Sequence, residues 1–401
     1  MSKRKYQSDE KLQSYKPKPN NMSRRMVDDG GNDLAGYLVL RLHQAVDLSK
    51  ADLQELTGGK PSFSGATWDT VAPALGLRRD LNIIQLDTFT VPNAILPPSF
   101  HRELMTNGSR WLDVYQEPWS WGPEESRLRL LEAWFVPVCS LFCGRLVDTP
   151  EPSTPETQES SPNEIEHKIF MLDNCVLVVI EMNPTPENIF DDYAQVLLEL
   201  VSAMKRNRDT DFDRQPPIYA MLSDLRDYYI LSYDGKEFRR MARVTVSLDA
   251  RADFLRGMAH VSDLLFSVLL NGYIEILAAV QKRSAKRSEA NDVSRHRSIS
   301  SGIPVIGEGP EQFSRPSLEI WSKAHLKALE AQKIMVGADL TSEDTWDQDG
   351  RRGINLLNES FKDIPKFGSL ADWDERNLKH QIDNITNQLL QSHGTPPIGE
   401  V

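Results

Sequence analysis

Residues 164–182, EIEHKIFMLDNCVLVVIEM, carry the pattern of two β-strands around a tight turn. β-Branched residues crowd the second half, and Asp173-Asn174 is turn chemistry between two apolar runs. The sequence therefore predicts strands over EIEHKIFML and CVLVVIEMN joined by a two-residue turn at Asp173-Asn174. The second strand is apolar at nearly every position, as a strand covered on both faces requires. A helical alternative would place VLVVIEM in a helix, which its β-branched content opposes.

Downstream, Pro184 and Pro186 close this strand. The run ENIFDDYAQVLLELVSAMKRNR (187–208) predicts an amphipathic helix, with acidic residues in its first turns and basic ones at its end, as the helix dipole favours. PIYAMLSD and YYILSYDG predict a further strand pair that leads into EFRRMARVTVSL, and a long helix is expected from about 250 to 282. Upstream, EESRLRLLEAWFVPVCSLFCGRL from Glu124 predicts a helix buried on more than one side, with Pro137 as a kink point. Between that helix and the hairpin, residues 147–163 are rich in Pro, Ser, Thr and Glu and are expected to be an insertion. The resulting order is helix, hairpin, helix, strands, an α/β fold.

The flanks are less regular. Residues 1–36 are polar without periodicity and are expected to be a disordered basic arm. Residues 37–123 form a helical and mixed extension: a helix is expected over about 37–57, ending at Gly58-Gly59, followed by the strand-like patch LNIIQLDTFTV and the tryptophans Trp111, Trp119 and Trp121. The tryptophan cluster fits a loop packed over its own core, with base stacking as the rarer use of the same residues. The core domain is expected over 124–281, a basic disordered linker over 282–316, and a C-terminal helical extension over 317–401 with one clear helix at about 317–335.

The composition bounds the function classes. With 46 Lys and Arg against 58 Asp and Glu, the 401-residue chain has a formal charge of −12, which argues against a uniformly basic nucleic-acid-binding surface and leaves room for a local basic groove. Three cysteines without a CxxC indicate neither a disulfide framework nor a structural zinc site. Cys139 and Cys143 fall on one helical face as small core residues. The N-terminus lacks the apolar run of a secretory signal, and Asn271, Gly272 and Glu275 interrupt the most apolar stretch, so an intracellular protein that spans no membrane is expected. The tracts Lys3-Arg4-Lys5 and Lys282-Arg283, Lys286-Arg287, Arg295 and Arg297 have the character of nuclear-import or phosphate-contacting segments, or of plain solvated linker charge. Ser298 and Ser300, beside these arginines, fit basic-directed phosphorylation.

The stretch CVLVVIEMN, then AQVLLELVSA, then PPIYAMLSD with YYILSYDG resembles the αβββαβ core of the PD-(D/E)XK (restriction-endonuclease-like) nuclease superfamily, including its divergent fungal branches. The resemblance covers about 60 residues. In that family an apolar strand ends in Glu-x-Lys and the next helix carries a glutamine. Glu181 matches the glutamate, Gln195 matches the helix glutamine, and Asn183 stands where the lysine is expected. The resemblance implies a Mg²⁺ site in which carboxylates at neighbouring strand ends hold the ion against a scissile phosphate. A two-residue turn would pair Leu172 with Cys175 and set Glu166 opposite Glu181. Asp173 would then lie roughly 20 Å from Glu181, at about 3.4 Å per residue. Glu166 and Glu181 are therefore the expected metal ligands, with Glu132 as a further candidate by family analogy and Lys168 as a cation that could replace the missing lysine.

Replacing that lysine by Asn183 removes a charge which, in a phosphate-transfer site, is worth several kcal/mol of transition-state stabilisation. Two readings stay open: a degenerate nuclease-like module that binds nucleic acid or a protein partner, and an active Mg²⁺-dependent nuclease. Carboxylates of Glu166 and Glu181 within about 4–6 Å of each other, facing a basic cleft, would favour the second.

Overall fold

The structure is a computed structural model that describes residues 66–78, 86–115, 124–150, 167–171, 175–182, 189–208, 212, 215–301 and 316–364. Within these, the side chains of 124–128, 148–150, 167, 168, 170, 176, 181, 182, 206, 208 and 289–301 lie outside the description. The expected helix over 37–57, the N-terminal arm, Trp119 and Trp121 lie outside the described residues.

The described elements are, in order, α1 (Trp68–Ala74), β1 (Asp87–Thr88), α2 (Pro98–Tyr115), α3 (Glu124–Ser140), β2 (Val147–Pro150), β3 (His167–Met171), β4 (Cys175–Met182), α4 (Ile189–Arg208), β5 (Ile218–Ser223), β6 (Asp227–Tyr233), β7 (Phe238–Arg240), β8 (Val244–Thr245), α5 (Arg251–Ser301), α6 (Leu318–Val336) and α7 (Glu343–Phe361). The strands make one mixed sheet in the order β1-β7-β6-β5-β4-β3-β2, with β8 paired to β6. β4 and β5 are parallel, connected through α4; β2–β3, β3–β4 and β5–β6 are antiparallel. The α/β class read from the sequence therefore holds.

β4 sits inside the sheet, and its side chains explain the layering. Leu177, Val178 and Ile180 belong to one apolar cluster with residues of α2, α3, α5, α6 and α7, while Val179 belongs to a second cluster with α1 and α4. β5 divides in the same way: Tyr219 and Met221 face the first cluster, and Ile218, Ala220 and Leu222 the second. All of these are nearly or fully buried. Each fully buried Val, Leu or Ile contributes about 1.5–3 kcal/mol relative to exposure, so β4 and β5 alone justify helices on both faces.

The hairpin differs from expectation in one detail. Met171 pairs with Cys175 and Phe170 with Val176, so three residues, not two, separate the strands. A register shift follows, Leu177 is passed over, and Ile169 pairs with Val178. The bulge puts Leu177 and Val178 in the same cluster although they are adjacent. Beyond it, His167 pairs with Ile180, the register that the two-residue turn would have given.

Other boundaries also move. Val147–Pro150 belong to β2, paired with β3, so the first residues of the expected insertion are a strand. α3 runs through Pro137 and ends at Ser140. Cys143 lies beyond it at φ 49° beside Gly144 at φ 70°, a left-handed pair that terminates the helix. Both cysteines pack half-buried against the core, but not on one helix. α5 passes Lys282, where a linker was expected, and continues to Ser301, because 282–301 contains neither Gly nor Pro and is rich in good helix formers; Gly302 and Pro304 follow. α7 occupies part of the C-terminal region that showed little pattern.

α5 is about 75 Å long at 1.5 Å per residue. It is long and apolar enough to cross a membrane by composition, yet the relevant window is 72% buried inside the protein, so its apolar surface is used by the core. Two polar side chains on it fix the segment before α2: Ser267 Oγ accepts from Ala94 N–H at 2.9 Å, and Asp263 Oδ1 accepts from Leu96 N–H at 2.9 Å. His101 Nε2 also lies 3.1 Å from Asp263 Oδ1. Gly272 lets α5 approach β4, since a Cβ there would overlap Leu177 Cδ1. Gly272→Ala is expected to cost about 1–3 kcal/mol in denaturant unfolding. Combined with Leu177→Ala, it should cost less than the sum of the two single changes, because the smaller side chain makes the space.

Candidate functional site

The C-terminal ends of parallel strands and the helix that follows are where open α/β sheets gather functional groups. Here these are the end of β4, the end of β5 and the first turns of α4. In this region Glu181 of β4 pairs with Leu222 of β5, and Leu222 pairs with Tyr229 of β6, so the three residues stand abreast on neighbouring strands. α4 packs over β4, β5 and β6.

Of the residues read from the sequence, the backbone of Glu181 is at the expected strand end, while its side chain lies outside the description. Glu166, Asn183 and Asp173 lie outside the described residues. The backbone of Lys168 pairs with Val179, and its side chain lies outside the description. Glu132 is half-buried on α3, a helix packed on the sheet face opposite α4, so it is not brought to Gln195.

Gln195 is on the second turn of α4 and is 9% exposed. Its Nε2 donates to Glu199 Oε1 at 3.4 Å, one turn further on, and Glu199 is 1% exposed. Residues 193–200 are all buried, so α4 is not amphipathic here: the sheet covers one side and α1 packs on the helix as well. A buried carboxylate requires donors, and the Gln195 amide is one of them. The signal for this pair was present in the sequence as a Gln and a Glu four apart within the apolar run YAQVLLELV.

Further residues not singled out from the sequence complete the region. Tyr193, 2% exposed, meets Tyr229 edge-on at 5.5 Å between ring centroids. Arg243, in the loop before β8, donates from Nη1 to Tyr229 Oη at 3.4 Å, with its guanidinium carbon 6.0 Å from that ring centroid. Arg243 Nε also lies 3.5 Å from Asp227 Oδ1, which accepts from Thr245 Oγ1 at 2.6 Å. Phe190, on the first turn of α4, is 40% exposed and leans against Trp68 at 6.2 Å. Asp191 Oδ1 accepts from Trp68 N–H at 2.8 Å and so ties the start of α1 to the start of α4. Strand periodicity could have flagged Tyr229; the approach of Arg243 depends on the loop path and has no local signal.

Among the described residues, no group of three or more His, Cys, Asp or Glu side chains converges where a metal ion could sit. The two carboxylates that the resemblance implies for Mg²⁺, Glu166 and Glu181, are not among the described side chains. Comparison with protein-family models, curated proteins and solved structures finds no match.

Burial, and then the neighbouring Tyr229, push the Tyr193 hydroxyl well above the ordinary tyrosine value; burial does the same to Tyr219, Tyr228 and Tyr273. A folded-state value raised above the unfolded one gives stability that is complete below pH about 10 and is lost as pH rises through the folded value. Thermal midpoints should therefore fall steeply above pH about 10. Absorbance titration at alkaline pH should show a class of tyrosines that ionises only as the protein unfolds.

Proposed function

We propose that this chain carries a PD-(D/E)XK nuclease-like domain whose site is degenerate at the lysine position, occupied by Asn183, and which holds nucleic acid without cleaving it. The observation that carries this reading is the run α3-β2-β3-β4-α4-β5, which has the helix–strand–strand–strand–helix–strand order of the family. Within it the antiparallel β3–β4 pair is followed by a crossover to a parallel β5. The apolar strand ends in Glu181-Met182, and the helix after it carries Gln195 in its second turn. The register His167↔Ile180 runs toward the facing of Glu166 and Glu181 derived from the sequence, which supports those two as the carboxylate pair.

The degenerate form is favoured because a phosphate-transfer site without its lysine loses a fixed positive charge where negative charge develops, and this lowers the rate by orders of magnitude while leaving phosphate contacts elsewhere intact. Glu181 and Glu166 would hold Mg²⁺ if one is bound, and the ion would supply charge neutralisation beside a phosphate.

Calorimetric titration with Mg²⁺ and Mn²⁺, followed by incubation with single- and double-stranded substrates, tests the reading on the wild type and on Glu181→Ala. The expected outcome is nucleic-acid binding with no cleavage, and metal-dependent cleavage gained by Asn183→Lys. Metal-dependent cleavage by the wild type that disappears in Glu181→Ala would overturn the degenerate reading in favour of an active nuclease. Absence of any nucleic-acid binding would overturn it in favour of a protein-binding module.

A further inference from the structure

Tyr193, Tyr229 and Arg243 are in contact across α4 and the sheet, and Phe190 precedes Tyr193 by one turn of α4. Phe190 and Tyr193 are three apart on one helix and so neighbours on its surface, Tyr193 meets Tyr229 at 5.5 Å, and Arg243 lies over Tyr229 at 6.0 Å. Tyr193 is buried and Tyr229 half-buried, whereas the ends of the row reach solvent: Phe190 is 40% exposed and the Arg243 side chain 55% exposed. We propose that this row is a subsite for single-stranded nucleic acid, with Arg243 holding a backbone phosphate and Phe190 stacking on an unpaired base. The proposal rests on the nuclease-like reading and names the substrate class of the same region.

The chemistry at each end suits this use. A guanidinium offers five N–H donors in a planar fork that matches a phosphate. Arg243 directs Nη1 at Tyr229 and Nε toward Asp227, and among the described residues nothing accepts from Nη2. The Tyr229 contact holds the fork in place, which reduces the ordering cost of binding. Of the nearby carboxylates, Asp227 is engaged by Thr245 and Arg243 and Asp191 by the Trp68 N–H, while Asp192 faces Tyr193. At the other end, an aromatic side chain presented to solvent offers a face on which an unpaired base stacks without sequence readout. A duplex keeps its base faces covered, so Phe190 gives it nothing to stack on. The net charge of −12 does not oppose this, because the contact requires only one local cation for the phosphate and one exposed π-face for the base.

The test is fluorescence anisotropy of the full chain with a labelled single-stranded oligonucleotide and with the same sequence as a duplex, across a series of salt concentrations. Phe190→Leu keeps an apolar side chain against Trp68 but has no π-face, and should weaken single-strand binding about fivefold or more with little effect on the salt slope. Arg243→Ala should weaken it and reduce the slope of log affinity against log salt by about 0.7, one phosphate contact on a single strand. Arg243→Lys, which keeps the charge, should retain that slope, and unchanged melting temperatures would show that the variants are folded. Wild-type binding that neither Phe190→Leu nor Arg243→Ala alters would overturn this subsite and leave the nuclease-like reading standing. Equal losses on duplex and single strand would overturn the single-strand assignment. No binding of either oligonucleotide by the wild type would overturn both this subsite and the nucleic-acid reading it rests on.

Discussion

Everything in the described structure answers to one constraint: β4 is apolar on both faces and cannot be left against water on either. Val179 demands a cover on one side and Leu177, Val178 and Ile180 on the other. The first need brings α4 across the sheet and makes the neighbouring strand parallel, since a helical crossover returns the chain in the same direction. The second need is met by α5, which lies close enough to β4 only because position 272 lacks a side chain. Once α5 is in place, its Ser267 and Asp263 collect the extended segment before α2, and its Tyr273 bonds Ser360 of α7 at 3.2 Å. The C-terminal helices are thus held to the same core. Arg145, just beyond α3, adds to this by donating to the carbonyls of Phe361 and Ile364 at 2.7 and 2.9 Å.

The same covering makes the region around α4 unusual. A helix buried around its whole circumference over two turns normally contains apolar residues only, yet this one includes Gln195 and Glu199. Polar groups in such a place are kept by partners or they destabilise the fold. Gln195 and Glu199 share this buried stretch of α4 with Tyr193, which carries the contact on to Tyr229 and Arg243.

The strands and helices of 124–281 were legible because each has a strong period or a β-branched run: VLVVIEM, IYAML and the 187–208 helix lie where the sequence sets them, within a few residues. What was not legible depends on distant contacts. β1 has two residues and exists because β7 pairs with it. β2 is written in Pro- and Thr-containing residues that look like a loop until β3 lies alongside. The continuation of α5 beyond Lys282 carries no apolar stripe in the sequence, so composition alone read it as a linker. At the candidate site, Gln195 and the end of β4 at Glu181 could be read from local pattern. Glu199, buried by α1 and the sheet, and Arg243, brought to Tyr229 by the path of a loop, could not.

The bulge at Leu177 has a bearing on how this hairpin tolerates change. An extra residue in the connection between β3 and β4 would ordinarily reverse which side chains face inward along the whole strand. Here the strand absorbs that residue by doubling up at Leu177 and Val178, so the part of β4 that ends at Glu181 keeps its alignment with β3 whatever the connection does. The two ends of the strand are therefore insulated from each other. The far end of β4 keeps its pairing with β3 and with β5 although three residues, rather than two, join the strands.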